Sequence, residues 1–140
     1  MDRVTPEVRS ANMRAIRSKD MKPEMIVRKL VHRMGYRYRL HRHDLPGRPD
    51  LVFPSRRKVI FVNGCFWHQH DDKDCNLVRK PKSNQEYWLP KLERTVVRDR
   101  ENWAALERQG WDVLVVWECM VTQRDSLEIL LSTFMEQDDY

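Results

Sequence analysis

The spacing of apolar residues divides the chain into helical and extended segments joined by short polar turns. Val27, Leu30, Val31 and Met34 recur at the three- and four-residue steps of a helix. Asp20 is its candidate cap, Pro23 suits its first turn and Gly35 supplies the stop. Tyr36 to Leu40 alternates as an edge strand does. Asp50-Leu51-Val52-Phe53, the turn Pro54-Ser55-Arg56-Arg57 and the return strand Lys58 to Val62 predict a hairpin. Tyr87 to Gln109 predicts a long helix ended by Gly110, whose apolar stripe (Leu89, Leu92, Val96, Trp103, Leu106) is interrupted by Asp99. Trp111 to Trp117 predicts a strongly buried strand, and Ser126 to Met135 a last amphipathic helix. That order implies an α/β sandwich around a short mixed sheet.

At 140 residues the chain is expected to form a single domain with one core. No run approaches a membrane span and no signal-peptide pattern opens it, so a cytoplasmic, soluble protein is expected. Three cysteines are an odd count where disulfides are disfavoured, which favours metal binding. Lys+Arg exceed Asp+Glu by 26 to 21, a balance equally suited to a solvated surface or a nucleic-acid partner. Distribution changes that picture. Residues 9–39 hold Arg9, Arg14, Arg17, Lys19, Lys22, Arg28, Lys29, Arg33, Arg37 and Arg39, whereas the tail ends in Glu136, Asp138 and Asp139. Residues 1–19 read as a basic arm that can order along a DNA backbone through phosphate contacts.

The densest candidate chemistry is Gly64-Cys65-Phe66-Trp67-His68-Gln69-His70, running on to Cys75. Cys65-x4-His70-x4-Cys75 with the distant Cys119 supplies four ligands for a closed, structural zinc site, and Cys65-x2-His68 is the competing ligand spacing. A closed site leaves one histidine for other work. Asp50, entering one hairpin strand, would lie beside Val62, ending the other. A carboxylate next to a strand-end carbonyl can hold a hard divalent ion. Glu24, three residues before Val27, either compensates the helix dipole or points into a site at the core's edge. Asp99 is either paired with a nearby arginine or supports a site from behind. Asp50, Glu24 and a histidine together suggest a hydrolase; His41 and His43 read as exposed loop residues.

Asn12-Met13-Arg14-Ala15-Ile16, Leu45-Pro46-Gly47-Arg48-Pro49-Asp50, Gly64-Cys65-Phe66-Trp67-His68 and Val116-Trp117-Glu118-Cys119 together resemble the very-short-patch repair (Vsr) DNA mismatch endonucleases over residues 8–120. The resemblance implies a restriction-endonuclease-like fold and magnesium-dependent nicking of double-stranded DNA 5′ to the T of a T·G mismatch. It implies magnesium at Asp50 and the Val62 carbonyl, His68 as general base, and Glu24 orienting metal-bound waters. Zinc would fall to Cys65, His70, Cys75 and Cys119. Phe66 and Trp67, with Met13 from the arm, would wedge into the base stack, Arg14 would lie on the DNA, and Lys91 would sit near the bases. Unstacking costs least where pairing is already poor. The family works with mismatch-repair proteins, and a monomer is expected. Two departures stand out. Asn63 replaces a histidine of some members, so it can position a water but not take a proton. The loop from His70 to Cys75 is also longer and acidic (Asp71, Asp72, Asp74). Two rival readings are an endonuclease for another mismatch or a specific sequence, and a zinc-stabilised DNA-binding module without catalysis.

Overall fold

The structure is a computed structural model that describes residues 22–78 and 82–137. Among these residues, three helices flank a three-stranded mixed sheet. Helix α1 spans Pro23–Arg33, followed by β1 (Leu51–Phe53) and β2 (Lys58–Asn63), with a 3-10 turn over Pro54–Arg56 between the strands. Helix α2 (Gln85–Arg108) crosses over to β3 (Asp112–Trp117), and α3 (Arg124–Glu136) follows a second 3-10 segment.

The hairpin forms as its sequence predicts, with Leu51 opposite Ile60 and Val52 opposite Val59. β2 is the central strand and pairs β3 in parallel, Val62 opposite Val116 and Asn63 opposite Trp117. Alternation sorts the side chains between two cores. Leu51, Phe53 and Ile60 join Val27, Val31, Leu127 and Leu131 beneath α1 and α3. Val52, Val59 and Phe61 join Leu106 and Trp111 beneath α2. By the same period of two, Asn63 belongs to the α2 face.

Several expectations need correction. Tyr36 to Leu40 is not a strand: only Arg39 bridges Val52, and His41 then takes a positive φ of 61°, turning the chain off the sheet edge. β3 is half-buried rather than strongly buried, because it borders the sheet among the described residues; only Val116 is sealed within it. Leu89 is 39 % exposed and leaves the apolar stripe of α2. Helix α1 is capped at Lys22 without a side-chain bond, with Pro23 opening its first turn. Asp20 and the arm, with Met13 and Arg14, lie outside the described residues. No described helix is long and apolar enough to cross a membrane.

Candidate active site and metal centre

The turn Leu45-Pro46-Gly47-Arg48-Pro49 delivers Asp50 to the head of β1. Gly47 has φ 74°, and a β-carbon there would stand 3.0 Å from Asn102 Cβ and 3.1 Å from Phe61 Cε1, so the turn lies flat against α2 only as glycine. Asp50 Oδ2 then accepts the Val62 N–H at 2.7 Å. The Asp50–Val62 adjacency expected from the hairpin is therefore present.

Glu24 reaches the same spot from the first turn of α1, and Arg28 Nη2 donates to Glu24 Oε2 at 2.6 Å one turn on. Burial pushes the Asp50 pKa up to about 7; the Val62 N–H opposes that rise, Glu24 beside it adds to it and Arg28 opposes it. Glu24 sits in the first turn of α1, as the dipole reading expects, and also beside Asp50. Arg28, counted with the basic front, instead offsets the charge of a carboxylate pair. Asn63, 4 % exposed at the end of β2, carries a buried Nδ2 without a partner. Two carboxylates beside a strand end, with a spare buried donor, fit a hard dication and the waters it carries.

Five residues after the strand end, the His68 N–H donates to the Gly64 carbonyl, and His68 Nδ1 lies 2.6 Å from Asp99 Oδ2. Asp99 interrupts the apolar stripe of α2 because it serves this histidine rather than an arginine. Nδ1 engaged by a carboxylate leaves Nε2 for any further contact. The stripe showed that Asp99 was anomalous, but its partner, 31 positions back, had no signal. No hydrogen bond or ion pair joins His68 to Asp50 or Glu24 among the described residues; the two groups meet at the same end of the sheet.

Cys65, His70, Cys75 and Cys119 bring one ligand atom each within 4.8 Å of one another. His70 Nδ1 lies 3.8 Å from Cys65 Sγ and 3.5 Å from Cys119 Sγ. A tetrahedral ion with Zn–S and Zn–N bonds of usual length gives S···N edges of roughly 3.6 Å. The set therefore fits a metal such as zinc, and His70, not His68, joins it. The long acidic loop does not prevent closure. Its carboxylates stay exposed, and the Cys75 N–H bonds the Asp72 carbonyl at 3.1 Å. Burial pushes the Cys65 thiol up to about 12 in the metal-free cluster, a cost that a bound cation reverses. The His70 ring stacks on Trp117 at 4.3 Å, fixing the ligand against the end of β3.

Between the two groups, Phe66 and the 51 %-exposed Trp67 pack edge-to-face at 5.2 Å. Both rest on Trp88 of α2, at 6.1 and 5.7 Å. Trp88 extends the predicted pair into a three-ring platform, and the Lys91 ammonium lies over the rings of Tyr87 and Trp88 at 5.4 and 5.8 Å. Half-buried Phe66 and Trp88 thus present the exposed Trp67 ring beside a lysine, an arrangement that suits base stacking.

Similarity to known proteins identifies the family. A sequence profile described as DNA mismatch endonuclease Vsr matches residues 1–76. The type II nicking enzyme V.XorIIP of Xanthomonas oryzae pv. oryzae is 50 % identical over 135 residues, covering 96 % of this chain and 97 % of that protein. The DNA mismatch endonuclease Vsr of Escherichia coli is 43 % identical over 119 residues, covering 85 % of this chain and 74 % of its own. V.NaeI of Lentzea aerocolonigenes, another type II nicking enzyme, is 44 % identical over 115 residues, covering 79 % of this chain and 67 % of its own. This chain belongs to the Vsr family of DNA endonucleases.

Proposed function

We propose that this protein nicks one strand of double-stranded DNA 5′ to the T of a T·G mismatch, by magnesium-dependent phosphodiester hydrolysis. It would act as a single restriction-endonuclease-like domain, a cytoplasmic monomer. The observation that carries the reading is Asp50, bonded to Val62 N–H at 2.7 Å with Glu24 beside it. Asp50 and the Val62 carbonyl would hold magnesium, which when bound supplies charge stabilisation at the scissile phosphate. Glu24, kept in place by Arg28, orients waters at that edge. Asn63 donates its spare Nδ2 proton to one of them. His68 Nε2 takes the proton of the attacking water, and Asp99 holds the ring's tautomer and the charge it gains. Phe66 and Trp67 probe the stack, and Lys91 lies near the bases. Zinc on Cys65, His70, Cys75 and Cys119 would keep the loop in place.

Magnesium-supported nicking across a panel of every mismatch type tests the reading. A single cut 5′ to T in the T·G duplex is expected. Cutting of another mismatch, or of paired DNA of one sequence, selects the related-endonuclease alternative; binding without any cut selects the DNA-binding module. For the base, Asp99→Asn is expected to lower single-turnover nicking at saturating duplex, by no more than the ~10²–10⁴-fold a general base contributes. Duplex affinity should hold. A wild-type rate in that variant would remove His68 from the chemistry or Asp99 from its support.

A further inference from the structure

Helix α2 carries one feature of which the site uses only Lys91. Lys91, Arg94 and Arg98 recur at three- and four-residue steps, so they form one stripe along its solvent side, and all three are exposed. Tyr87 begins the same line, in the turn whose Trp88 supports Phe66 and Trp67. The buried side of the helix (Leu92, Leu106) faces the sheet, and Asp99 reaches His68.

The usual reading of such a stripe is a solvated face knitted by ion pairs. That is not what is seen. Glu93 lies on the adjoining face and Glu101 three residues beyond Arg98, yet neither arginine forms a hydrogen bond or ion pair among the described residues. Like charges at these spacings destabilise a helix by a few tenths of a kcal/mol each. Two unpaired guanidiniums thus stand in line with an exposed aromatic platform, on the element that also holds the His68 partner. From Lys91 to Arg98 the helix rises ~10 Å, about three steps of one DNA strand.

We propose that Arg94 and Arg98 form a phosphate track that grips the DNA backbone next to the aromatic platform and carries it towards His68. The inference rests on the reading of the chain as a DNA endonuclease. Guanidinium is suited to the role because its planar fork matches phosphate oxygens. The track holds position and reads no sequence.

The test is the salt dependence of binding to a T·G duplex and to the fully paired duplex of the same sequence. Each of Arg94→Ala and Arg98→Ala should flatten the slope of log K against log salt by about one, and the double variant by about two. Near 0.1 M salt the double variant should bind about ten- to a hundredfold more weakly. The loss should be equal on both duplexes, and Arg94→Lys/Arg98→Lys should restore most of it. Arg108→Ala, exposed at the far end of the same helix, should leave the slope unchanged. An unchanged slope in the double variant overturns the track, as does an equal effect of Arg108→Ala. A loss confined to the mismatched duplex overturns it too. If the wild-type protein binds neither duplex, the endonuclease reading fails instead.

Discussion

Replacing Asp50 with alanine is expected to abolish magnesium-dependent nicking of a T·G duplex while leaving duplex binding largely intact. The loss should exceed the ~10²–10⁴-fold expected of His68→Ala, because a missing base slows one proton transfer whereas a missing ligand removes the charge that stabilises the phosphate. Gel-shift affinity and single-turnover nicking separate the two effects. Full nicking by both variants would discard the active-site assignment. The raised pKa adds a pH signature. In magnesium-free, zinc-loaded protein the folded state holds the Asp50 proton up to about pH 7, whereas an unfolded aspartate releases it near ~3.9. Between those values the native state binds more protons, so stability falls as pH rises from about 4 to about 7 and changes little from this source outside that window. Magnesium must displace the proton, so its affinity should climb across the same window. Asp50→Asn should flatten the Asp50 contribution to the stability slope, read from denaturant midpoints across pH; an undiminished slope assigns the effect to another group.

Loss of the zinc site is expected to unfold the working loop outright rather than to slow the enzyme. Between Gly64 and Val78 the chain makes only turns, and Cys65 and His70 are its sole buried residues. With so little apolar area to bury, the loop's order would depend on a metal held by the Cys/His cluster. Structural zinc contributes an apparent ~10–16 kcal/mol in small zinc domains. Cys119→Ser should lose stoichiometric zinc, lower the melting temperature and abolish nicking together. The sheet keeps its own apolar core, so far-UV dichroism should fall less than the tertiary signal of Trp67, Trp88 and Trp117. Full zinc content with unchanged melting in that variant would remove Cys119 from the site.

What the sequence disclosed follows how each element is held. The hairpin and long helix were legible because hydrophobic burial at periods of two and 3.6 holds them. Asp50 and Val62 met as expected because register follows from the hairpin. Tyr36 to Leu40 misled because alternating Tyr and Arg mimics a strand, while the pairing that makes one depends on where the chain turns at His41. β3 looked buried because its residues are apolar, yet its place at the sheet's border comes from topology. The His68–Asp99 pair was hidden for another reason. It depends on the path of a loop made only of turns, which carries no hydropathy signal. Arg28 was hidden because a cation in a basic stretch looks like surface until its carboxylate partner is located.

Trp88 and Asp99 lie eleven residues apart on one helix, about three turns and ~16 Å. One packs against Phe66 and Trp67; the other touches His68. In the proposed reading, a stretch of helix of set length therefore separates the rings that would probe the base stack from the histidine that would act on the strand. The protein carries its own ruler. Its graduations are helical, so one residue added between those positions would shift the far mark by ~1.5 Å and swing it by ~100°. The number of residues between the marks is therefore as constrained as the marks themselves.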